Sequence, residues 1–381
     1  MRIPYKHSTT GTTIFTVMSA LAPEHKAVNL SQGFPDFAID GRLAALLNEA
    51  ALGSFNQYAP MQGLPILRHA IAQDLLRRYD LAIDADTEIT ITPGATYGIY
   101  TALTSFLRPG DEVIVLEPAY DSYIPNIEMN GAKAIPVPLS YPDFDVDWDR
   151  VKEAITSRTK AIIINTPHNP TGAAWSQQDW EQLASLVRGT DLLVLSDEVY
   201  EQLIFDGHKH LSILHHEELR QRSFAIFSFG KVFNNTGWKM GYVVAPPELT
   251  AAFRHIHQYL SFSVNTPAQY AIAQYLQTDN LPDIGKIMQA KRDYFLSMME
   301  GLPFTIRRST SGSYFQLAGY ENISDMADID FAKWLTKEYG VATIPLSPFY
   351  SNRKDDKLIR FCFAKKEETL QTAAEKLSRL K

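Results

Sequence analysis

The chain has 381 residues, 45% of them hydrophobic and 21% charged, which is an ordinary composition for a soluble globular protein. Its formal net charge is -7, and it has no dense run of lysine and arginine, so nucleic-acid binding is not expected. No apolar stretch approaches the roughly 20 residues of a membrane span, and the single cysteine, Cys362, excludes an internal disulfide and a zinc site built on several cysteines, so we expect a cytoplasmic protein without a metal centre.

The N-terminal segment is rich in loops. Arg2 and Lys6 precede a moderately apolar stretch at residues 14–22, an order that faintly mimics a signal peptide. Thr16 and Ser19 interrupt this stretch, so it lacks the dense hydrophobic core of a signal. We interpret it instead as a short helix that packs on the main body.

Short β-rich runs alternate with segments of helical period between about residues 88 and 246. The runs are apolar without alternation, which is typical of parallel strands that are buried on both faces. They lie at residues 88–92, 113–116, 161–164, 192–195, 224–227 and 241–244. This alternation predicts an α/β fold with a mostly parallel sheet covered by helices on both faces.

The pattern changes from about residue 280 onward. A long helical segment is followed by strands near residues 313–317 and 357–363 and by an amphipathic helix from Lys366. Together with the N-terminal segment, these elements predict a smaller α+β unit built from both ends of the chain. The expected domains are a large domain of residues 41–278 and a small domain of residues 1–40 plus 279–381.

Open α/β sheets bind their ligands at the carboxyl ends of the strands. After the first strand, Gly94, Ala95 and Thr96 open a helix whose backbone N–H groups can hold a phosphate, although an ordinary strand-to-helix turn has the same pattern. After the second strand, Tyr120 offers an aromatic face on which a flat ring can stack. Aromatic side chains in loops also commonly belong to the core, so this signal is weak by itself.

Amide and acidic side chains follow the next two strands. Asn165 and Asn169 lie in a proline-rich turn and offer hydrogen-bonding groups to a ligand. Asp197 directly ends a buried apolar strand, where an unpaired carboxylate is costly, so it should meet a cation. A protonated pyridine nitrogen is one such cation, and a role as helix N-cap is the competing explanation.

Lys231 follows the fifth strand. A lysine in this position can have a lowered pKa and form a Schiff base with a carbonyl compound. A lysine at such a junction is, however, ordinarily a surface residue. Ser228 and Lys239 would suit a phosphate close by, and a carbonyl and a phosphate on one small molecule describe pyridoxal phosphate. Arg360, in a later strand, either reaches solvent or holds a substrate carboxylate in a bidentate grip.

Three motifs resemble those of the class I and II aminotransferases, which are pyridoxal-phosphate enzymes of fold type I. The motifs are NTPHNPTG at residues 165–172, SDEVY at 196–200 and SFGKVFNNTGWKMG at 228–241. The stretch NLSQGFPDF at residues 29–37 is similar to methionine aminotransferases and, more loosely, to kynurenine aminotransferases. The resemblance covers essentially the whole chain.

The resemblance implies a role for each site residue. Lys231 would form the Schiff base and carry the proton, Asp197 would pair with the ring nitrogen, and Tyr120 would stack on the ring. Asn169 and Tyr200 would bind the phenolic oxygen. The phosphate would be held by Gly94, Ala95, Thr96, Ser228, Lys239 and, from a neighbouring subunit, Tyr58. The substrate would be held by Arg360, Asn169, the backbone of Gly33, Phe15, Phe34 and a neighbour's Phe262.

The resemblance also implies transamination between an amino acid and a 2-oxo acid by a homodimer with shared active sites. The segments expected to line the side-chain pocket carry no arginine, so the expected donors are neutral and apolar or aromatic: methionine, phenylalanine, tyrosine and kynurenine. Two alternatives stay open: a carbon–sulfur β-lyase, which shares the fold and the first chemical step, and a non-catalytic regulator that binds pyridoxal phosphate.

Overall fold

The computed structural model describes residues 12–380. Arg2 and Lys6, and with them the first part of the expected small domain, lie outside the described residues. The strands are β1 (Val28–Asn29), β2 (Ile89–Thr92), β3 (Glu112–Glu117), β4 (Lys133–Pro138), β5 (Thr159–Asn165), β6 (Leu193–Asp197), β7 (Ser223–Ser228), β8 (Gly241–Val244), β9 (Phe315–Gly319), β10 (Val341–Ala342), β11 (Ile344–Pro345) and β12 (Leu358–Cys362).

Helices connect and cover these strands. They are α1 (Ile14–Glu24), α2 (Gly41–Leu52), α3 (Pro65–Tyr79), α4 (Ala95–Phe106), α5 (Tyr123–Met129), α6 (Trp148–Ala154), α7 (Gln177–Val187), α8 (Glu217–Arg220), α9 (Phe229–Val232), α10 (Pro247–Leu260), α11 (Thr266–Leu276), α12 (Ile284–Met299), α13 (Asp328–Trp334) and α14 (Glu367–Leu377). In the part of the chain from residue 12 to residue 380, no helix has the length and apolar character to cross a lipid bilayer.

A seven-stranded sheet lies at the centre, in the order β2-β8-β7-β6-β5-β3-β4. All neighbouring strands pair in parallel except β8, which is antiparallel to both β2 and β7. The predicted α/β fold with a mostly parallel sheet is therefore confirmed. The carboxyl ends of β2, β3, β5, β6 and β7 meet at one edge of the sheet, where the sequence places its candidate site residues.

Each face of the sheet packs on its own hydrophobic cluster, because successive side chains of a strand point to opposite faces. Ile162 of β5 belongs to the cluster that includes Trp180 of α7. Its neighbour Ile163 belongs to the opposite cluster, with Leu103 of α4 and Phe253 of α10. Helices thus cover both faces, which explains the continuous apolar runs of the strands.

One strand of the sheet, β4, was missing from the sequence interpretation. It contains Pro136 and Pro138, and only Val137 of its side chains is buried. Proline cannot donate a hydrogen bond to the ladder, so β4 lies at the edge of the sheet beside β3. Its exposed side chains and prolines hide it from a search for buried apolar runs.

The two ends of the described chain meet in a second region with its own hydrophobic cluster. Strands β11, β12 and β9 form an antiparallel sheet, and β1 pairs in parallel with β10. The backbone N–H of Cys362 donates to Leu30 O at 2.8 Å and joins the N-terminal segment to β12. Phe295 of α12, Phe361 of β12 and Leu370 of α14 belong to this cluster.

Candidate active site

A cavity of about 400 Å³ opens at the carboxyl edge of the central sheet. Its lining includes every predicted site residue except Tyr58 and Phe262: Phe15, Gly33, Phe34, Gly94, Ala95, Thr96, Tyr120, Asn169, Asp197, Tyr200, Ser228, Lys231, Lys239 and Arg360. Tyr58 and Phe262 lie on the surface with exposed fractions of 84% and 50%, and their rings meet edge to face at 5.7 Å.

Lys231 reaches the cavity from the single turn α9, which begins directly after β7. Its Nζ donates to Gly33 O at 3.2 Å and lies 5.7 Å from the ring centres of both Tyr200 and Tyr314. Burial lowers the pKa of this amine to about 8, because the charged form is desolvated. A larger fraction of the amine is therefore neutral and nucleophilic near neutral pH than for an ordinary lysine.

Asp197 lies at the end of β6 with its carboxylate buried. Its Oδ2 accepts a hydrogen bond from the Tyr123 hydroxyl at 2.6 Å, and its Oδ1 accepts one from Val199 N at 3.3 Å. Burial raises the pKa of this carboxyl to about 6, and it forms no salt bridge with a residue between 12 and 380. No helix begins here, since the chain continues into turns, so the N-cap explanation is wrong.

The first turn of α4 forms an anion cradle with Lys239. Gly94 precedes the helix with φ +86°, and no side chain of residues 12–380 caps the first turn, so its backbone N–H groups stay available to a ligand. A Cβ on Gly94 would lie 3.2 Å from Lys239 Nζ, which places the ammonium beside the helix N-terminus. Helix dipole, free N–H groups and cation together favour a phosphate, and Ser228 lines the same part of the cavity.

Arg360 projects from β12 and is only 1% exposed, so the solvent-facing alternative is wrong. One of its terminal nitrogens donates to Asn169 Oδ1 at 2.7 Å, and the other donates to Ser31 O at 2.9 Å. Its Nε has no hydrogen-bond partner among the described residues, and burial lowers the pKa of the guanidinium to about 10. A buried cation with an unsatisfied donor and no salt bridge to a described carboxylate suits an anionic ligand.

Phe315 and Gly33 shape the surroundings of Arg360. The guanidinium stacks on the Phe315 ring at 3.8 Å, and Phe15 lies 5.3 Å away. A Cβ on Gly33 would come within 2.7 Å of the Phe315 ring, so this close approach requires glycine. Sequence reasoning missed Phe315, because the pairing of β9 with β12 that brings it to Arg360 joins distant parts of the chain.

The sequence interpretation also missed two residues near Tyr120, namely Tyr123 and Asp121. The Tyr123 hydroxyl donates to Asp197, and its place three residues after Tyr120 was the available signal. Asp121 lines the cavity, and burial raises the pKa of its carboxyl. Asp121 forms no salt bridge with any residue in the range 12–380, and the charge of Arg360 only partly offsets the effect of burial on the pKa of its carboxyl.

These residues fit pyridoxal phosphate. The helix N-terminus with Lys239 suits the phosphate, and the desolvated amine of Lys231 suits the aldehyde. Asp197, buried without a salt bridge to any described residue, suits a protonated ring nitrogen, and Tyr120 offers an aromatic face. Each group meets a complementary chemical function of one small molecule.

Known proteins with similar sequences and structures point the same way. A family model described as aminotransferase class I and II matches residues 25–377. Methionine aminotransferase of Escherichia coli (strain K12) is 47% identical over 380 residues, covering 97% of this chain and 96% of that protein. Kynurenine–oxoglutarate transaminase 1 of Rattus norvegicus is 34% identical over 397 residues, covering 95% and 94%.

A solved structure extends this likeness to three dimensions. N-Succinyldiaminopimelate aminotransferase from Mycobacterium tuberculosis matches with a TM-score of 0.95 at 37% sequence identity and covers 100% of both chains. Because the family model and these relatives span nearly the whole chain, the likeness includes the cavity as well as the sheet. The chain belongs to the class I and II aminotransferases, and it is an aminotransferase that depends on pyridoxal phosphate.

Proposed function

We propose that the amino donors of this aminotransferase are neutral amino acids with large apolar or aromatic side chains: methionine, phenylalanine, tyrosine and kynurenine. The charge of the cavity carries this proposal. Among the described residues that line it, the cations are Lys231, Lys239 and Arg360. The first two match the aldehyde and phosphate of the cofactor, which leaves Arg360 for the substrate's α-carboxylate.

A second substrate carboxylate would therefore enter the cavity without a cation. It would also meet Asp121, whose negative charge has no salt bridge within residues 12–380. Phe15 and Phe34 offer aromatic surface instead, against which a thioether or a ring packs favourably. The names of the E. coli and rat relatives, methionine and kynurenine–oxoglutarate transaminases, support the same donor class.

We assign each site residue a separate role in transamination. Bound pyridoxal phosphate supplies an electron sink for the negative charge that develops at the substrate's α-carbon. We assign Lys231 Nζ to the movement of the α-proton, since its pKa of about 8 lets it accept and return a proton near neutral pH. Asp197 supplies the negative charge beside the ring nitrogen, and Asn169 with Tyr200 supplies the polar groups for the phenolic oxygen.

Steady-state kinetics test the donor class. We expect kcat/KM for methionine and phenylalanine to exceed that for aspartate and glutamate by about a hundredfold, because the acidic side chain would lose its hydration without gaining a cation. The variant Asp121→Asn should narrow the gap between glutamate and methionine, since it removes the opposing charge.

An efficiency for aspartate equal to or above that for methionine would contradict the proposal. The same assays separate the β-lyase alternative, because a β-lyase releases pyruvate and a thiol from a cysteine S-conjugate without any 2-oxo acid. Pyruvate release faster than transamination of methionine would favour that alternative.

We further propose a homodimer with shared active sites. The exposed rings of Tyr58 and Phe262 support it, because apolar aromatic side chains this exposed often mark a contact with another chain. Tyr259 and Leu260 at the end of α10, close to Phe262 in the chain, are exposed as well. In this arrangement, Tyr58 of one subunit reaches the phosphate in the other subunit's site, and Phe262 reaches the substrate pocket of that same site.

Hybrid dimers test the sharing of sites. Subunits carrying Tyr58→Phe are mixed with subunits carrying Lys231→Ala, each with a different affinity tag, and the doubly tagged dimer is purified. If sites are shared, one site of the hybrid has both native residues and the other has both lesions, so about half of the wild-type activity should return. A fully active monomer would count against shared sites. So would a hybrid whose activity per native Lys231 is no higher than that of the Tyr58→Phe dimer.

The domain division and the cellular location remain proposals of the same kind. We propose a large domain of residues 41–278 and a small domain of residues 1–40 plus 279–381, supported by the pairing of β1 with β10 and by the separate hydrophobic cluster around β12. We propose the cytoplasm as the location, supported by the single free and buried Cys362.

A further inference from the structure

Residues 32–34 form one wall of the cavity, and side chains bind the carbonyl oxygens of all three. Lys365 Nζ donates to Phe34 O at 2.7 Å and lies 3.5 Å from Gln32 O. Gly33 O accepts from the Tyr314 hydroxyl at 2.7 Å and from Lys231 Nζ at 3.2 Å. The carbonyl groups of three consecutive residues of this wall are therefore held by two amines and a hydroxyl.

Lys365 is an unusual member of this set. The residue is only 3% exposed, and its ammonium forms no salt bridge with any described residue. Burying an ammonium without a carboxylate is costly. Its contacts converge on the cavity wall, since the ammonium also lies 5.0 Å from the centre of the Phe34 ring.

The backbone of Lys365 is fixed independently of its side chain. Lys291 Nζ donates to Lys365 O at 2.7 Å, and Lys365 N donates to Phe363 O at 2.7 Å. Asp36 accepts hydrogen bonds from Lys366 N at 2.6 Å and from the Thr369 hydroxyl at 2.7 Å. These bonds tie the chain just after residues 32–34 to the start of α14. The ammonium therefore projects from a fixed base toward residues 32–34.

The orientation of a carbonyl fixes the orientation of the next amide. In a trans peptide, the C=O of one residue and the N–H of the next point in opposite directions. A Gln32 carbonyl held toward Lys365 directs the Gly33 N–H away from Lys365. A Gly33 carbonyl held by the Tyr314 hydroxyl directs the Phe34 N–H away from Tyr314 in the same manner.

We propose that Lys365 is a positioning residue for substrate binding. It holds residues 32–34 so that the Gly33 N–H meets the substrate's α-carboxylate beside Arg360 and the Phe34 ring meets the substrate's side chain. The inference rests on the proposed function in one respect, namely that the substrate occupies the part of the cavity between Arg360 and Phe34. Lys365 touches neither substrate nor cofactor and acts through the wall.

The variants Lys365→Met and Lys365→Arg test this role in the holoenzyme. Methionine keeps the length of the side chain but donates no hydrogen bond, so KM for methionine and for its 2-oxo acid should rise about tenfold while kcat changes less than about threefold. Arginine keeps the charge and the donors and should restore KM to within about threefold of wild type. The inhibition constant of hydrocinnamate, an unreactive carboxylate with an aromatic side chain, should rise in parallel with KM.

Lys357→Met is the matched control. Lys357 Nζ also donates to two backbone carbonyls, Asp325 O at 2.8 Å and Met326 O at 2.7 Å, but these residues do not line the cavity. Its KM and kcat should stay within about twofold of wild type. An unchanged KM in Lys365→Met, or a loss confined to kcat, would overturn the proposal. Failure of both Lys365 variants to fold would also overturn it, because it would assign Lys365 to folding. Wild-type kinetics that favour dicarboxylic donors would instead contradict the proposed function.

Discussion

Replacing Lys231 by alanine is expected to remove transaminase activity almost completely. The side chain supplies both the amine that reacts with the cofactor and the base that moves the α-proton, and no other described lysine amine shares its position among Gly33, Tyr200 and Tyr314. General base catalysis alone accounts for roughly a hundredfold to ten-thousandfold in rate, so kcat should fall by at least about a thousandfold. The rate of oxo-acid formation from methionine measures the loss.

The matched experiment identifies the reactive lysine chemically. Borohydride reduction of wild-type holoenzyme followed by peptide mapping should place the cofactor on Lys231, and the purified protein should be yellow. The variant Lys209→Ala, which changes an exposed lysine, should keep full activity and colour. A cofactor label on a different lysine, or an active Lys231→Ala enzyme, would contradict the assignment.

The second large effect is expected from Asp197→Asn. Asparagine keeps the shape of the side chain and can still accept the Tyr123 hydroxyl, but it cannot balance a protonated ring nitrogen. We expect kcat to fall by about a hundredfold or more, as for other removals of a charge-stabilising group from a buried site. Single-turnover rates with methionine, together with titration of the apoenzyme with pyridoxal phosphate, measure this effect.

Stability separates this catalytic role from a structural one. The pKa of Asp197 in the folded apoenzyme is raised to about 6, above its usual value near 3.8, so the charged form opposes folding as the pH rises through this range. At neutral pH, the Asp197→Asn apoenzyme should therefore melt no lower than wild type. Tyr123→Phe, which keeps the carboxylate and removes one hydrogen bond, should lose only about tenfold in kcat. A nearly normal turnover of Asp197→Asn would refute the pairing with the ring nitrogen.

The strands that carry the site were predictable because burial on both faces leaves continuous apolar runs. Asp197 stands out because a carboxylate directly ends such a run, and Lys231 stands out because it follows the next run by a few residues. The sheet brings both to one edge. β4 was not predictable by this criterion, since an edge strand with two prolines has neither the burial nor the composition of the others.

The substrate half of the cavity was harder to predict. From the residue pattern alone, Arg360 had two possible roles, and only the family resemblance chose the substrate carboxylate, because its burial depends on Phe315 and on Ser31, both far away in the chain. Lys365 carries no local signal either, since a lysine before the final helix is ordinarily exposed. Contacts between distant segments decide these roles, and a single sequence does not record them.

The cavity is assembled from three separate stretches of chain, and this has a consequence for synthesis. The cofactor side is contributed by residues 94–239, which leave the ribosome well before the C-terminal segment. Arg360 and Lys365 emerge after these residues, yet they close onto Ser31 and Phe34, which emerged before them. Such pairings of high sequence separation are late events, because the intervening chain must be ordered first. A nascent chain can thus possess its cofactor cradle before it can select a substrate, and amino-acid binding reports that the segment with Arg360 and Lys365 has joined the fold.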